Sequence, residues 1–216
     1  MAEGWSRHAL RFSEYYNSLS ASNLWTPPRL KRREWMFIPW DSRPPDRHRG
    51  FNDKSQVLKY LQNRSPHSCF HSTAYYKYPS ERKMLDKDWL GADLIFDLDG
   101  DHLPGVSDKD FPSMIGLIQE QAWSLWSDFL EPEFGFKEEH VQTSFSGHRG
   151  FHIHVRDPNL FHLDSNARRE LVNHIRGEGI NVQTTLSGVD SSWKNRVENG
   201  ISTVINKLVN IADDNS

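Results

Sequence analysis

The sequence predicts an α/β fold in which short strands form mixed or antiparallel sheets with flanking helices. Apolar runs of strand length alternate along the chain with segments whose apolar residues recur every three or four positions. The 216 residues are 36% hydrophobic and 25% charged, the balance of a globular protein with a sizeable core. The sequence shows neither internal repeats nor a flexible linker, so we expect a single domain over residues 1–216.

The first half of the chain is expected to begin with an amphipathic helix over residues 8–19, followed by a strand over residues 34–40. Two prolines at 44 and 45 then open a loop, and residues 57–61 suit one or two helical turns. Residues 70–78 are rich in Tyr and Thr, which favours an extended conformation.

In the second half, an apolar strand at 94–96 is followed by a turn at Leu103-Pro104-Gly105. A helix is predicted from Asp110 to near Leu130, and SGHRG joins a hairpin of strands at 140–145 and 151–155. Further helices are predicted from an N-cap at Asp164 to Gly177, and from Ser191 or Ser192 through Leu208.

Charge is unevenly distributed, although the net charge is only -3. Residues 29–49 include seven basic and three acidic residues. Residues 81–110 include nine acidic and four basic residues. The small net charge argues against a protein that coats nucleic acid by bulk attraction. The segregation favours either an acidic metal-holding centre beside a basic rim or two solvated loop faces.

The single cysteine, Cys69, excludes an internal disulfide and a multi-cysteine zinc site. The alternation of His67, Cys69 and His71 offers three ligand types without a fourth nearby, so we interpret these residues as ordinary strand positions. No apolar run reaches eighteen residues, and residues 1–12 lack the apolar segment of a secretory signal, so a cytoplasmic protein without a membrane partner is expected.

The segment ADLIFDLDGDHL carries the first candidate site. Its apolar strand delivers Asp97 and Asp99 two positions apart, so both carboxylates leave one face of the strand about 6.5–7 Å apart. Two anions at this spacing repel each other without a cation. Carboxylate oxygens suit Mg²⁺ or Mn²⁺, and the pattern therefore predicts a divalent-metal site for phosphate chemistry.

The same pattern also fits a phosphatase of the haloacid-dehalogenase type, in which Asp97 would be the nucleophile and Asp99 the acid or base. Asp101 stands where that family expects Thr or Val. A plain acidic surface turn is the third interpretation that this segment alone leaves open.

The segment SFSGHRGFHIHV carries the second candidate site. Its turn brings together Ser146, Arg149 and backbone N–H groups, and the glycines allow a phosphate to approach the backbone. His152 and His154 alternate with apolar residues, so both imidazoles leave one strand face. A hydroxyl, a guanidinium and an imidazole around such a turn suit an oligophosphate.

Together these segments resemble the catalytic small subunit of the archaeal and eukaryotic type of DNA primase. The resemblance runs from about Tyr15 to the end of the chain. Its markers are Arg33-Glu34-Trp35 with Phe37, Tyr75-Tyr76 with Pro79, the segment WLGADLIFDLD at 89–99 and the segment SGHRGFHIHV at 146–155.

The resemblance implies a primase catalytic core whose metal-binding catalytic carboxylates are Asp97 and Asp99. It further implies that Ser146, Arg149 and His152 contact the triphosphate of the incoming nucleotide and that His148 shares this role. Arg33 matches a basic residue of the family that contacts the nucleotide. The activity implied is DNA-templated synthesis of short RNA primers from nucleoside triphosphates with two Mg²⁺ or Mn²⁺ ions. The implied partners are a primase large subunit, a single-stranded DNA template and the replication machinery, in a replisome-associated location.

The chain also departs from the family pattern. The resemblance implies a third catalytic Asp and a further basic phosphate-binding segment, and residues 157–216 contain no match, since Asp190 lacks the expected surroundings. The chain is therefore expected to lack the C-terminal catalytic segment of the family. A truncated or non-catalytic primase-like binding subunit and a repair polymerase of the same superfamily stay open as alternatives.

Overall fold

A computed structural model of the chain describes residues 3–100, 110–147, 149–188 and 191–214. It is a mixed fold of helices and antiparallel sheets, as the sequence predicts. The helices are α1 (Glu3–Ser18), α2 (Lys54–Arg64), α3 (Phe111–Leu125), α4 (Ser165–Arg176), α5 (Val182–Ser187) and α6 (Ser192–Asp214). The strands are β1 (Trp35–Ile38), β2 (Asp46–Arg49), β3 (Ser68–His71), β4 (Ala74–Tyr76), β5 (Trp89–Ala92), β6 (Leu94–Asp99), β7 (Val141–Phe145) and β8 (Gly150–Val155).

The described residues form three small sheets, with strand orders β2-β1-β3, β4-β5 and β6-β8-β7. In the first sheet Trp35 of β1 lies opposite Arg49 of β2 and His71 of β3, and both pairings are antiparallel. None of the described helices is long and apolar enough to cross a membrane.

The chain divides into two compact units, each built from two stretches of sequence. Unit 1 comprises Met1–Phe96 and His154–Leu163, and unit 2 comprises Asp97–Ile153 and Asp164–Ser216. Two of the three boundaries therefore fall inside β6 and β8, and the third lies just before α4. A single domain over residues 1–216 stays a prediction.

Unit 1 has an aromatic core between α1, β1 and α2. Tyr16, Trp35, Phe37, Val57 and Leu61 are all buried there. The side chain of Asp53 caps α2 by accepting a hydrogen bond from the Gln56 amide at 2.9 Å. The helix therefore runs for 11 residues, longer than the one or two turns predicted around residues 57–61.

In unit 2, α3 buries Met114, Ile118 and Ala122 on one face. Its N-cap is Asp110, as predicted, and the Asp110 carboxylate accepts a hydrogen bond from the amide of Ser113. A π-helical turn over Trp126–Leu130 follows and ends where the sequence predicts the helix end.

Helix α4 has the predicted N-cap at Asp164 and the predicted C-cap at Gly177. The start of α6 is held by Arg196, whose Nε donates to Glu133 at 3.1 Å, and by the Trp193 indole, which donates to the His174 carbonyl at 2.8 Å. The second half of α6 exposes an apolar face of Ile201, Val204, Ile205, Leu208 and Val209.

One prediction from the sequence needs correction, and a second one concerns residues that the structure does not describe. The loop predicted after Pro45 contains the strand β2, whose residues are all polar and which lies at the edge of its sheet. It is held by backbone pairing with β1, so apolar alternation gives no signal for it. The turn predicted at Leu103-Pro104-Gly105 lies outside the described residues.

We expect Gly150→Ala to lower the free energy of unfolding by about 2 kcal/mol or more, because overpacking forces the backbone to shift. A Cβ at this position would lie only 1.9 Å from the Leu98 carbonyl oxygen. Urea unfolding followed by circular dichroism measures the change.

The matched control is Gly116→Ala in α3, where an added Cβ meets nothing within 4 Å. This substitution should raise stability by about 0.5–1 kcal/mol, since alanine favours a helix interior over glycine. Equal stability of the two variants would contradict the close approach at Gly150.

Candidate functional site

Strand β6 places Asp97 and Asp99 on its exposed face. Leu94 and Phe96 occupy the opposite face and are buried, with exposures of 4% and 8%. The Asp97 side chain is 70% exposed. A buried strand thus ends in two accessible carboxylates, as the alternation in the sequence predicts.

Strand β8 brings an imidazole to this pair. His152 Nε2 lies 3.3 Å from Asp97 Oδ1, and the His152 side chain is 38% exposed. The alternate positions Ile153 and Val155 are buried at 2% and 0%. The predicted alternation of imidazoles and apolar residues along β8 is therefore confirmed.

The turn between β7 and β8 is fixed by its backbone and by one hydroxyl. The amide of Ser146 donates to the Gly150 carbonyl at 2.9 Å, and the amide of Gly150 donates back to Ser146 Oγ at 3.1 Å. Gly147 has a φ of 89°, in the left-handed region that favours glycine. His148, predicted to contact nucleotide, lies outside the described residues.

The end of β6 is tied to the same turn. The amide of Gly100 donates to the Arg149 carbonyl at 3.0 Å. The close approach of Gly150 to Leu98 lies two residues before Gly100 and one residue after Arg149. The structure therefore brings Asp97, Asp99, Ser146, Arg149 and His152 into one region of unit 2.

The donor set of this region suits a hard divalent cation held jointly with a ligand. Asp97 and Asp99 supply carboxylate oxygens from one strand face. Mg²⁺ is bound in proteins through one or two carboxylates, with water and substrate phosphates completing its shell. Within the described ranges no group of three or more His, Cys, Asp or Glu side chains is placed to hold a metal.

Arg33, the remaining predicted contact, belongs to unit 1 and is fully buried. Its guanidinium donates to Asp93 Oδ2 at 2.7 Å, to Tyr75 Oη at 3.0 Å and to the carbonyl of Ser72 at 2.7 Å. Its Nε donates to the carbonyl of Pro28 at 2.8 Å. The structure thus places this side chain in a buried network rather than on an accessible surface.

The other members of the network are equally enclosed. Asp93 is 2% exposed and also lies 3.4 Å from Arg156 Nε. The Tyr75 hydroxyl donates to Asp93, and burial together with this hydrogen bond raises the pKa of Tyr75 to about 12. Tyr75 therefore stays a protonated donor near neutral pH.

Sequence reasoning did not identify Asp93 and Tyr75 as partners of Arg33, nor Arg156 as a second cation beside Asp93. One signal was present, because Asp93 is an acidic residue between the apolar residues Ala92 and Leu94. A carboxylate in such a position is rarely buried without a cationic partner. The partner lies 60 residues away in sequence, so the pairing itself needed the fold.

Comparison with known proteins gives a family match over the second half of the chain. The family model described as DNA primase small subunit matches residues 96–216. The match includes Asp97, Asp99 and the β7–β8 turn.

Similar proteins from archaea bear the same name. The chain is 43% identical over 173 residues to the DNA primase small subunit PriS of Methanosarcina barkeri, covering 79% of this chain and 41% of that protein. It is 36% identical to the PriS of Methanosarcina acetivorans, covering 87% of this chain and 51% of the relative. For the PriS of Thermoplasma volcanium the identity is 35%, over 92% of this chain and 58% of the relative.

The chain thus spans about half the length of the curated relatives that it matches. These relatives favour the primase interpretation of the Asp97 and Asp99 pair over the phosphatase alternative. Because the family model covers more than half of its residues, the chain belongs to the DNA primase small subunit family.

Proposed function

We propose that this chain carries the nucleotidyl-transfer centre of a DNA primase, which joins nucleoside triphosphates into a short RNA primer on a single-stranded DNA template. The observation that supports this most directly is the convergence in unit 2 of Asp97 and Asp99 with the turn that holds Ser146 and Arg149. This convergence lies within the segment matched by the family model.

In the proposed reaction Asp97 and Asp99 hold divalent metal, Mg²⁺ or Mn²⁺, together with the substrate phosphates. When bound, such an ion would activate the attacking 3′-hydroxyl and stabilise the charge of the leaving pyrophosphate. The two carboxylates are exposed on one strand face, which leaves them accessible to an ion that also carries water and phosphate.

The turn is proposed to bind the triphosphate. The Arg149 guanidinium offers a fork of N–H donors to phosphate oxygens, and His152 lies beside Asp97, where it can hydrogen-bond a phosphate near the metal. Ser146 is proposed to contact the triphosphate as well, from the turn in which its hydroxyl oxygen accepts a hydrogen bond from the Gly150 amide. His148 completes the proposed set.

The proposal extends to assembly. Primases of this type would pair with a large subunit, and the small net charge of -3 favours a partner that supplies much of the grip on template DNA. A two-metal site would need a third carboxylate beside Asp97 and Asp99. Within the described part of the chain, no group of three potential metal ligands supplies it. A non-catalytic binding role is therefore the second candidate.

Asp97→Asn and Asp99→Asn should each reduce primer synthesis to background, because the amide removes the charge that holds the cation. The assay follows incorporation of labelled nucleotide on a single-stranded template with Mn²⁺ or Mg²⁺, using the chain together with its large subunit.

Glu120→Gln, at an exposed position of α3, is the matched control and should leave the rate unchanged. Retained synthesis in both aspartate variants would remove the two carboxylates from catalysis. If wild-type chain shows no synthesis while its template binding persists, the non-catalytic role is supported instead.

Arg149→Ala should raise the KM for nucleotide roughly 10- to 100-fold, since a hydrogen bond to a charged group contributes about 1.5–3 kcal/mol. Binding of template DNA should stay the same. Arg176→Ala, at an exposed position of α4, is the control. An unchanged KM in the Arg149 variant would exclude this guanidinium from the triphosphate site.

Nucleotide contact by Arg33 stays a prediction, and the buried network gives it a structural role in addition. Arg33→Met should lower the free energy of unfolding by about 3–5 kcal/mol, because it leaves the carboxylate of Asp93 buried without its main partner. Urea unfolding of this variant is compared with that of Arg47→Met, which removes an exposed basic side chain. Unchanged stability with a raised nucleotide KM would indicate that contact with nucleotide is the main role of Arg33.

A further inference from the structure

A cavity of about 730 Å³ in unit 1 is lined by an unusual number of basic residues. Four of its lining residues are cationic, Arg29, Lys31, Arg32 and Lys54, and one is acidic, Asp53. We call this feature the basic cavity. Its residues all belong to unit 1, and the carboxylates Asp97 and Asp99 belong to unit 2.

The basic segment at residues 29–49 supplies most of these charges, and the structure separates six of its seven basic residues into two groups. Three of them are neutralised within unit 1, since Arg33 pairs with Asp93, Arg43 with Asp41 and Arg49 with Asp46. By contrast, Arg29, Lys31 and Arg32 line the basic cavity, and Lys54 joins them from the start of α2. Among the described residues, no carboxylate lies within 4 Å of the charged nitrogens of these four.

The single carboxylate of the basic cavity is already occupied. Asp53 accepts hydrogen bonds from the Gln56 amide at 2.9 Å and from the Ser55 hydroxyl at 2.5 Å. These hydrogen bonds hold the pKa of Asp53 below its usual range, so it stays an ionised helix cap. The four cations therefore outnumber the anion and are available to an external anionic ligand.

The guanidinium of Arg29 stacks on two aromatic rings and pairs with no carboxylate of the described residues. Its central carbon lies 4.2 Å from the centroid of the Phe161 ring and 5.0 Å from that of the Tyr75 ring. The Arg29 backbone is in the left-handed region, with a φ of 56°, which is uncommon for a residue with a side chain. A cation stacked on two rings keeps its N–H donors free for phosphate oxygens.

Exposed aromatic rings adjoin the lining residues in sequence. Trp25 precedes the lining residue Thr26, and Trp89 precedes the lining residue Leu90. The two indoles are 56% and 47% exposed, and their rings contact His71 and His162, with centroids 6.1 and 6.4 Å apart. Supported but exposed indoles are suited to stacking on bases, while the cations of the basic cavity attract the backbone.

We infer that the basic cavity binds the phosphate backbone of a single-stranded nucleic acid, with Trp25 and Trp89 as stacking sites for its bases. The choice of a nucleic acid as ligand rests on the proposed function. Phosphate oxygens of a free nucleotide share the same chemistry, but a single triphosphate would leave two separate indoles without a role. The strand is therefore the ligand that accounts for both the cations and the rings.

The test measures binding of a fluorescein-labelled single-stranded DNA of roughly 15 nucleotides, about the upper site size of such grooves, by fluorescence anisotropy. Metal and nucleotide are absent, and the salt concentration is varied. The variant Lys31→Gln/Arg32→Gln/Lys54→Gln should bind at least tenfold more weakly at low salt. The slope of log affinity against log salt concentration should become less negative by about 2. The reason is that three phosphate contacts are lost and each contributes about 0.7 to the slope for a single strand.

The control variant is Lys59→Gln/Arg82→Gln/Lys207→Gln, which removes three exposed charges that do not line the basic cavity. It should retain the wild-type affinity to within about twofold, because general attraction by distant charges is screened by salt. An equal loss in the two triple variants would overturn the inference.

Arg32 also donates a hydrogen bond to the carbonyl of Lys77, so its loss affects more than charge. The double variant Lys31→Gln/Lys54→Gln keeps this bond and should show about two-thirds of the change in salt slope. Trp25→Ala should weaken binding without changing the slope, because stacking releases no counterions. Unchanged affinity in both of these variants would also overturn the inference.

Competition experiments distinguish a nucleic-acid strand from a free nucleotide as the ligand of the basic cavity. Complete displacement of the strand by millimolar ATP, but not by inorganic phosphate, would assign the cavity to a nucleotide and overturn the assignment to a strand. An Asp97→Asn/Asp99→Asn variant should bind the strand as wild type does. If the aspartate variants show that the catalytic assignment is wrong, the strand-binding test is still valid. If the cavity variants bind the strand as wild type does, the catalytic assignment is unaffected.

Discussion

The close approach of β6 to the first residue of β8 is the constraint on which the candidate site depends. The Leu98 carbonyl lies where a side chain at position 150 would begin, so only glycine allows the two backbones to meet. This contact places the end of β6 beside the turn between β7 and β8. It also brings Asp97 of β6 next to His152 of β8. The chemistry of the carboxylates therefore depends on a residue that has no side chain.

The buried network around Arg33 shows how a sequence marker can have more than one meaning. The Arg-Glu-Trp segment resembles a family feature linked to nucleotide contact, yet the guanidinium is enclosed by Asp93, Tyr75 and backbone carbonyls. Burying a charge is costly unless it is paired and fully hydrogen-bonded, and here both conditions hold. Such a side chain fixes the positions of several loops at once, because its hydrogen bonds reach segments far apart in sequence.

Much of the fold could be predicted because its signals are local. Helix ends at Asp110, Asp164 and Gly177 follow from capping chemistry, and the alternation in β6 and β8 follows from burial of one face. Both strands of the candidate site were predictable for this reason. What the pattern could not give was the distance between them.

The elements that were missed have no local signal. Strand β2 is an edge strand of polar residues, and α5 is only six residues long. The π-helical turn over Trp126–Leu130 continues the apolar periodicity of α3, so spacing alone does not distinguish it. Pairing of Arg33 with Asp93, and the clustering of Arg29 with Lys54, require segments that only the tertiary fold brings together.

The division of the chain into two interleaved units has a consequence for how such a gene can change. Because each unit is assembled from two separate stretches, with boundaries inside β6 and β8, no single cut in the sequence separates one unit from the other. A single crossover between two related genes would therefore give every product at least one unit of mixed parentage. Exchange of one whole unit requires three crossovers, one at each boundary between the four stretches, so the two units are expected to be inherited together.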